Sequence, residues 1–343
     1  MHMSDALLSP VVGGTFWTVS AGMIGLSAKK ISADSDGSKT VLMGVMGAFV
    51  FAAQMINFTI PGTGSSGHIG GALLLSVLLG PRRAFITLAS VLVIQALFFT
   101  DGGLLALGCN IFNMAFIPAF IAWPFIYRPI AGDGSSPARL ATASIAAAML
   151  GLLAGAFSVV IQTTLSGISD LPFSIFMLFM LPIHFTIGIV EGVLTWGVLS
   201  FISKTEPALI APVHEGRSSK SGVVTAILFV GALGIGGVLS WFASSNPDGL
   251  EWSIGKVTGK KELGSPSEAS HKFLAGMQEK LAILPDYDFR NAGRTGQTAT
   301  SATASPVNAG TSLSGIAGSV MVLLLAGTAG LLLRKRSTPS GKS

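Results

Sequence analysis

Charged residues are scarce in this chain of 343 residues, where Asp, Glu, Lys and Arg together make up only 11% of the sequence. Soluble proteins carry about 25% of such residues. Half of the chain is hydrophobic and its mean hydropathy is +0.68, so the composition excludes a water-soluble globular fold. The 43 glycines show no G-X-Y period that would indicate collagen. They fit helices that pack closely in lipid.

Cysteine and the common catalytic motifs are also missing. The single cysteine, Cys109, excludes an intramolecular disulfide framework and any zinc or iron–sulfur site made of several cysteines. The sequence contains no H-E-x-x-H, no G-x-S-x-G and no G-x-x-x-x-G-K-[ST] motif. Without a nucleotide-binding loop, ATP-driven work would require a separate protein. We therefore expect no enzymatic activity in this chain.

Long charge-poor segments are abundant, and a membrane span needs about 20 apolar residues. Residues 40–81 contain no Asp, Glu, Lys or Arg, and a polar, glycine-rich segment at 57–67 divides them into two predicted spans, the second of them short. Seven further segments are long enough to cross a bilayer: 6–28, 84–100, 104–126, 140–163, 172–202, 221–241 and 313–333. The sequence thus predicts an all-α polytopic membrane protein with nine spans.

The spans fall into two groups. Residues 1–204 form a predicted seven-helix unit with short loops. Residues 205–220 are a predicted cytoplasmic linker. Residues 221–343 form a predicted two-helix hairpin that carries an external domain, a polar stretch of roughly 70 residues. No internal repeat is present, so the inverted repeats of many secondary transporters find no support here.

Basic residues follow the odd-numbered spans. Fourteen of the 21 lie there: Lys29, Lys30, Lys39, Arg82, Arg83, Arg128, Arg139, Lys204, Arg217, Lys220, Arg334, Lys335, Arg336 and Lys342. Because short cytoplasmic loops are enriched in Lys and Arg, the N-terminus is predicted outside and the C-terminus in the cytoplasm. This placement accounts for the net charge of +5, so we expect a lipid bilayer as partner and no nucleic acid.

The N-terminus itself has unusual metal-binding potential. Residues 1–5 lack the basic region of a signal peptide, so we expect no cleavage there. Methionine aminopeptidase does not remove Met1 before a residue as large as His2, which leaves a free α-amine. That amine, the His2 amide nitrogen and the His2 imidazole can occupy three corners of a square plane, a geometry typical of Ni(II) and Cu(II).

A fourth donor must come from elsewhere, and His68 is the best candidate. It lies in G-H-I-G-G at 67–71, on the predicted outer side where the third span begins. The neighbouring glycines allow another backbone to approach closely. The alternative interpretation is a helix-cap or interfacial histidine.

The remaining histidines fit the outer site less well. His184 and Glu191 lie seven residues apart on one face of the seventh span. Ionisable groups at that depth are usually functional, but a neutral histidine bonded to a neighbouring helix, with a glutamate that organises packing, is the alternative. Both are predicted to lie too deep for the outer site. His214 in the linker and His271 in the external domain are predicted to be solvated.

Several amide side chains also lie at membrane depth: Gln54, Asn57, Gln95, Asn110 and Asn113. Hydrogen bonds between helices explain them without a metal ion. They could also orient a ligand imidazole from a second layer.

At this point the motifs resemble a known family. M-H-M-S-D at 1–5, G-H-I-G-G at 67–71, L-G-C-N-I-F-N-M at 107–114 and L-P-I-H…E-G within 181–192 are similar to the CbiM/NikM substrate-binding membrane component of cobalt/nickel energy-coupling-factor transporters. The resemblance covers about residues 1–204. N-P-D-G-L-E at 246–251 resembles the signature of the PDGLE accessory subunit, here fused over about 221–343.

The resemblance implies a specific site and specific partners. By this resemblance, the N-terminus of the chain would fold into the molecule and bind Ni²⁺ or Co²⁺ through the Met1 amine, the His2 nitrogens and His68. It further implies a transmembrane coupling protein and cytoplasmic ATPase subunits in the cytoplasmic membrane of a prokaryote. The metal is then the transported ligand, and no cofactor is expected.

Two alternatives stay open beside metal import by an ATP-driven complex. One is a secondary transporter or channel in which His184 and Glu191 relay protons; the other, a membrane metalloenzyme, lacks a general-base motif near His2 and His68. In the external domain, Asp248 and Glu251 either form a transient oxygen site or act locally, with Asp248 capping a turn and Glu251 pairing with a lysine such as Lys256. In the second case we expect the domain to contact the mouth of the seven-helix unit.

Overall fold

We analysed a computed structural model of the chain. It describes residues 1–33, 38–134, 136–206, 209–210, 222–260, 263–264, 266, 268–290 and 308–333. Most of the predicted linker at 205–220, including His214, lies outside the described residues.

Helices dominate the described chain. After a short 3₁₀ turn at Asp5–Leu7, the helices are α1 (Pro10–Ala33), α2 (Ser38–Gln54), α3 (Ala72–Leu79), α4 (Pro81–Phe98), α5 (Leu107–Ala131), α6 (Pro137–Ser166), α7 (Phe173–Thr205), α8 (Gly222–Gly237), α9 (Gly249–Thr258), α10 (Ala269–Leu281) and α11 (Ala309–Leu333). Further 3₁₀ turns lie at Leu239–Phe242 and Pro285–Tyr287. Strands β1 (Phe58–Ile60) and β2 (Ser65–Gly67) pair antiparallel.

Six of the described helices are long and apolar enough to cross a membrane: α1, α4, α5, α6, α7 and α11. The apolar part of α2, Leu42–Gln54, and α8 are shorter. Large apolar side chains on these helices, such as Phe125 and Leu165, are exposed on the molecular surface, as expected where lipid is the solvent. The predicted all-α polytopic membrane fold is therefore confirmed.

The third predicted span differs from the prediction. The polar segment that was predicted to divide residues 40–81 contains the β1–β2 hairpin, and the short span predicted after it is α3, which has only eight residues. At 1.5 Å per residue α3 is about 12 Å long, far short of the hydrocarbon thickness of about 30 Å. Gly71, the residue just before α3, has a φ of +77°, a conformation that residues with a side chain rarely adopt, so a glycine fixes where the short helix begins.

Helix α5 is widened along much of its length. Residues Phe112–Tyr127 have the wide turns of a π-helix, and this stretch contains Pro118 and Pro124. Because proline has no N–H group and its ring clashes with the preceding turn, it disrupts the regular α-helical hydrogen-bond pattern. The wide turns of α5 face α6 and carry residues that line the cavity described below.

Small residues let the helices approach closely. Gly188 and Gly192 of α7 lie directly against the backbone of Met149 and Ile145 in α6, the close contact that small residues allow in membranes. The two helices of the C-terminal hairpin, α8 and α11, pack on α2, where Gly318 of α11 lies against the Phe51 ring. The second part of the chain is thus packed along the first.

Candidate metal centre

The first eight residues are folded into the molecule. Met3 is fully buried, and its backbone is gripped by one side chain: Met3 N donates to Asn110 Oδ1 at 2.8 Å and Met3 O accepts from Asn110 Nδ2 at 3.2 Å. Gly103 N also donates to Met3 O at 2.9 Å. Asn110, predicted as either an interhelical bond or a second-layer group, thus fixes the N-terminal segment.

A second anchor lies two residues further on. Asp5 Oδ1 accepts from Ala106 N at 2.9 Å, at the start of α5. The loop that receives the segment is tight: Gly102 has a φ of +86°, and a methyl group there would lie 2.8 Å from Asn110 Nδ2. The chain is held at Met3 and Asp5, and Met1 lines the cavity while His2 packs against His68.

The structure brings Met1, His2 and His68 together. The imidazoles of His2 and His68 are stacked, with ring centroids 5.2 Å apart and 20° between the planes. Met1 and His68 both line one cavity, and Met1 is only 7% exposed. Met1 and His68, which are 67 residues apart in the sequence, are therefore neighbours in space.

A chain of side-chain amides determines the tautomer of His2. Gly70 O can only accept, so Gln54 Nε2 donates to it at 2.8 Å. Gln95 Nε2 then donates to Gln54 Oε1 at 2.8 Å, which leaves Gln95 Oε1 as an acceptor 3.2 Å from His2 Nε2. This chain places a proton on His2 Nε2, so in the neutral ring Nδ1 has the lone pair that a metal ion would use.

His68 has the opposite tautomer. Its Nδ1 lies 3.1 Å from the Ile69 carbonyl oxygen, which can only accept, so Nδ1 carries the proton and Nε2 the lone pair. Burial, together with the Met1 ammonium, lowers the pKa of His68 to about 4. Burial also lowers the pKa of His2, against the opposing effect of Asp101. Both shifts favour the neutral ring, the state in which imidazole binds metals.

Asp101 is a site residue that sequence analysis missed. Its Oδ1 lies 3.2 Å from His2 Nδ1, and its Oδ2 accepts from the hydroxyl of Tyr287 at 2.6 Å. A carboxylate beside an imidazole lone pair favours any cation that binds there. Only its position in the short outer loop between two predicted spans could have indicated it.

The external domain reaches the N-terminus through Asp248. The Met1 ammonium donates to Asp248 Oδ2 at 3.0 Å. Asp248 also caps α9, since its Oδ1 accepts from Leu250 N and Glu251 N while Glu251 accepts from Asp248 N. Burial alone would raise the pKa of Asp248, but the ammonium and these N–H groups hold it below its usual value. The predicted cap is confirmed.

His184 and Glu191 line the same cavity as Met1 and His68, so the prediction that both lie too deep for the site was wrong. The short α3 and the hairpin before it let the outer loop reach the middle of α7. Glu191 accepts from Gly70 N at 3.0 Å and Gly71 N at 2.9 Å, and so caps α3. His184 Nδ1 donates to Met180 O at 2.8 Å, within its own helix rather than to a neighbouring one.

His271 was predicted to be solvated, and this was wrong. It is 2% exposed, and its Nε2 donates to Leu8 O at 2.9 Å. Helix α10 lies against the loop that holds the N-terminal segment, where Gln278 Nε2 donates to Ala96 O and Gly102 O. The partner of His271 is 263 residues away in sequence, so no local pattern could reveal the contact.

The cavity is small, with a volume of about 30 Å³, enough for one or two water molecules or an ion. Asn113 on its wall pairs with Gln162 in both directions, at 2.8 and 3.0 Å. In the part of the chain that the structure describes, no group of three or more His, Cys, Asp or Glu side chains could hold a metal ion. A site here needs main-chain nitrogen donors as well as the two imidazoles.

Comparison with known proteins agrees with this architecture. Residues 2–209 match the family model CbiM, cobalt uptake substrate-specific transmembrane region, and residues 222–335 match the PDGLE domain. A Haloquadratum walsbyi protein named for metal transport is 36% identical over 64% of this chain and 97% of its own length. The fused nickel transport protein NikMN of Rhodobacter capsulatus is 30% identical over 62% of this chain and 64% of its own.

A solved structure extends the similarity to the fold. A truncated transition metal transporter covers 60% of this chain and 99% of its own length, with 32% identity and a TM-score of 0.53. The family model matches well over half of the 343 residues. The chain belongs to the CbiM family of cobalt uptake transmembrane proteins, with a PDGLE domain fused behind it.

Proposed function

We propose that this protein captures Ni²⁺ or Co²⁺ at the outer face of the cytoplasmic membrane and passes it inward, powered by the coupling protein and ATPase subunits of an energy-coupling-factor importer. Residues 1–204 would be the metal-binding transport unit, 205–220 a cytoplasmic linker and 221–343 the accessory domain. The positive-inside distribution of Lys and Arg supports an external N-terminus and a cytoplasmic C-terminus. The relatives named for nickel and cobalt transport support the substrate class.

One observation carries the proposal: Met1 and His68 line one cavity, and the His2 ring stacks on the His68 ring with its centroid 5.2 Å away. The donors would be the Met1 amine, the deprotonated His2 amide nitrogen, His2 Nδ1 and His68 Nε2. Four nitrogens in a plane suit Ni²⁺, and nitrogen donors in general suit Co²⁺. The amide chain through Gln95 supports His2 in the role, since metal-binding imidazoles almost always donate their other N–H group.

Proton-relay transport receives less support from the same contacts. Both Glu191 carboxylate oxygens accept from the α3 backbone, which gives Glu191 a capping role. The absence of a nucleotide-binding motif favours separate ATPase partners instead. The domain that contains Asp248 would act on the mouth of the site rather than serve as the primary oxygen site, because Asp248 is engaged by the α9 cap and the Met1 amine.

The experiment compares the native N-terminus with a chain extended by Gly-Pro before Met1, with intact mass confirming each N-terminus. Proline at the second position has no amide N–H group to deprotonate, so the new terminus cannot rebuild a fused chelate with the His2 imidazole. Calorimetric titration with Ni²⁺ should show loss of high-affinity binding on extension, while a C-terminal tag of equal length should have no effect. In proteoliposomes, uptake should require the added coupling and ATPase subunits with ATP. Equal nickel affinity of the two N-termini would contradict the site, and uptake driven by a pH gradient alone would contradict the ATP-driven mechanism.

A further inference from the structure

His184 has an acceptor atom that no hydrogen bond satisfies. Its side chain is 1% exposed, and Nε2 has no partner in the structure. Buried polar atoms are nearly always paired, so each exception calls for an explanation. Burying such an atom without a partner costs about 1–3 kcal/mol, and a residue used only for packing could be replaced by an apolar one without that cost.

The tautomer of His184 leaves this atom suited to a metal ion. Nδ1 donates to the Met180 carbonyl, which cannot donate in return, so the proton is on Nδ1 and the lone pair is on Nε2. The ring lines the same cavity as Met1 and His68. An imidazole oriented by a backbone carbonyl, with its other nitrogen free, is the usual form of a metal-binding histidine.

The accessory domain covers this atom closely. A methyl group on Gly249, the first residue of α9, would lie 3.2 Å from His184 Nε2 and 2.9 Å from its Cε1. Only glycine lets the helix lie this close to the ring. The residue beside it, Asp248, contacts the Met1 amine, so one turn of the accessory domain touches both Met1 and His184.

We propose that His184 Nε2 is a transit ligand, which takes the metal ion from the Met1–His2–His68 site on its way into the membrane. The inference rests on the proposed function and adds a second station to it. A single imidazole binds more weakly than the four-nitrogen site, and weak binding is what onward movement requires. Glu191, seven residues deeper on the same face of α7, places a carboxyl group further along the same wall of the cavity.

The test substitutes His184→Asn, because the asparagine Nδ2 can replace Nδ1 in the bond to Met180 O while the donor at Nε2 is lost. The full chain is purified with its native N-terminus, and His214→Asn in the linker is the matched control. We expect Ni²⁺ affinity at the high-affinity site within about twofold of wild type, since the four nitrogens proposed to bind the ion there do not include His184. ATP-driven uptake with the partner subunits should fall at least about tenfold.

A direct binding measurement separates this proposal from the first one. In the chain extended by Gly-Pro before Met1, weak residual Ni²⁺ binding should persist and should disappear on His184→Asn. Residual binding that persists in the chain with both changes would overturn the transit role, and so would wild-type uptake by His184→Asn alone. Equal losses of affinity and uptake in His184→Asn would also overturn it. If His184→Asn does not fold, His184→Leu serves the same test, because leucine fills much of the ring's space and carries no donor atom.

Discussion

Replacing Gln95 tests the amide chain that presents His2. Gln95 is 1% exposed, accepts at Oε1 from His2 Nε2 and donates from Nε2 to Gln54. Gln95→Met keeps the length and approximate volume of the side chain but removes both polar atoms. The His2 N–H group and Gln54 Oε1 then remain buried without these partners.

The size of the effect follows from those two atoms. Each buried polar group left unpaired costs about 1–3 kcal/mol, which amounts to about 2–6 kcal/mol for the pair. His2 can recover part of this cost by moving its proton to Nδ1, where Asp101 lies 3.2 Å away. That tautomer has no lone pair on the atom proposed to bind the metal, so nickel affinity should fall about 10- to 100-fold, as is typical when the partner of a metal-binding histidine is lost.

The assay combines calorimetric Ni²⁺ titration with thermal unfolding of the metal-free protein. Gln162→Met is the matched control, because Gln162 is also 1% exposed and bonds to Asn113, not to His2. Both variants should lose stability, but the control should keep its nickel affinity within about threefold, since it shares no partner with His2. Equal affinity losses in the two variants, or none in Gln95→Met, would refute the reasoning.

Three further substitutions probe the surroundings of the site. Tyr287→Phe removes the 2.6 Å bond to Asp101 and should weaken Ni²⁺ binding several-fold at unchanged helix content by circular dichroism; unchanged affinity would show that Tyr287 does not orient Asp101. Gly102→Ala forces a side chain into a φ of +86° and against Asn110. The free energy of unfolding should fall by about 1–3 kcal/mol because of this strain, and an unchanged unfolding midpoint would contradict this. His68→Ala should lower nickel affinity more than about 100-fold, and near-wild-type titration would remove His68 from the site.

The membrane fold could be predicted because it is encoded locally, and the proposed N-terminal chelate rests on the same kind of local signal. Apolar runs mark helices one at a time, and the chelating atoms of Met1 and His2 are adjacent in sequence. His68 could be selected because the topology places it on the same predicted side as the N-terminus. Each of these inferences needs only short segments and one rule about sidedness.

The errors arose where the outcome depends on packing between distant segments. His271 is polar and lies in a polar domain, yet it is buried against a carbonyl near the N-terminus. The depth of His184 was judged from its place along a straight span, but the hairpin and the short α3 bring the outer loop to the middle of α7. Asp101 is one carboxylate in a loop, and its role depends on contacts with Tyr287 and His2.

The N-terminal segment explains why the two parts of the chain meet where they do. Terminal residues are tied to the chain on one side only and are usually poorly ordered, so other contacts must hold Met1 and His2. The accessory domain supplies three of them, through Asp248 to Met1, Tyr287 to Asp101, and His271 to the backbone near α1.

These contacts differ in what metal binding would do to them. If the Met1 nitrogen binds the ion, it must give up its ion pair with Asp248, whereas the bonds made by Tyr287 and His271 can persist. Covalent fusion keeps the domain at a high effective concentration, so Asp248 can separate from Met1 and rebind without the domain dissociating. The same turn of α9 contacts His184 through Gly249, and a movement that frees Met1 for the metal would therefore also uncover the next proposed ligand.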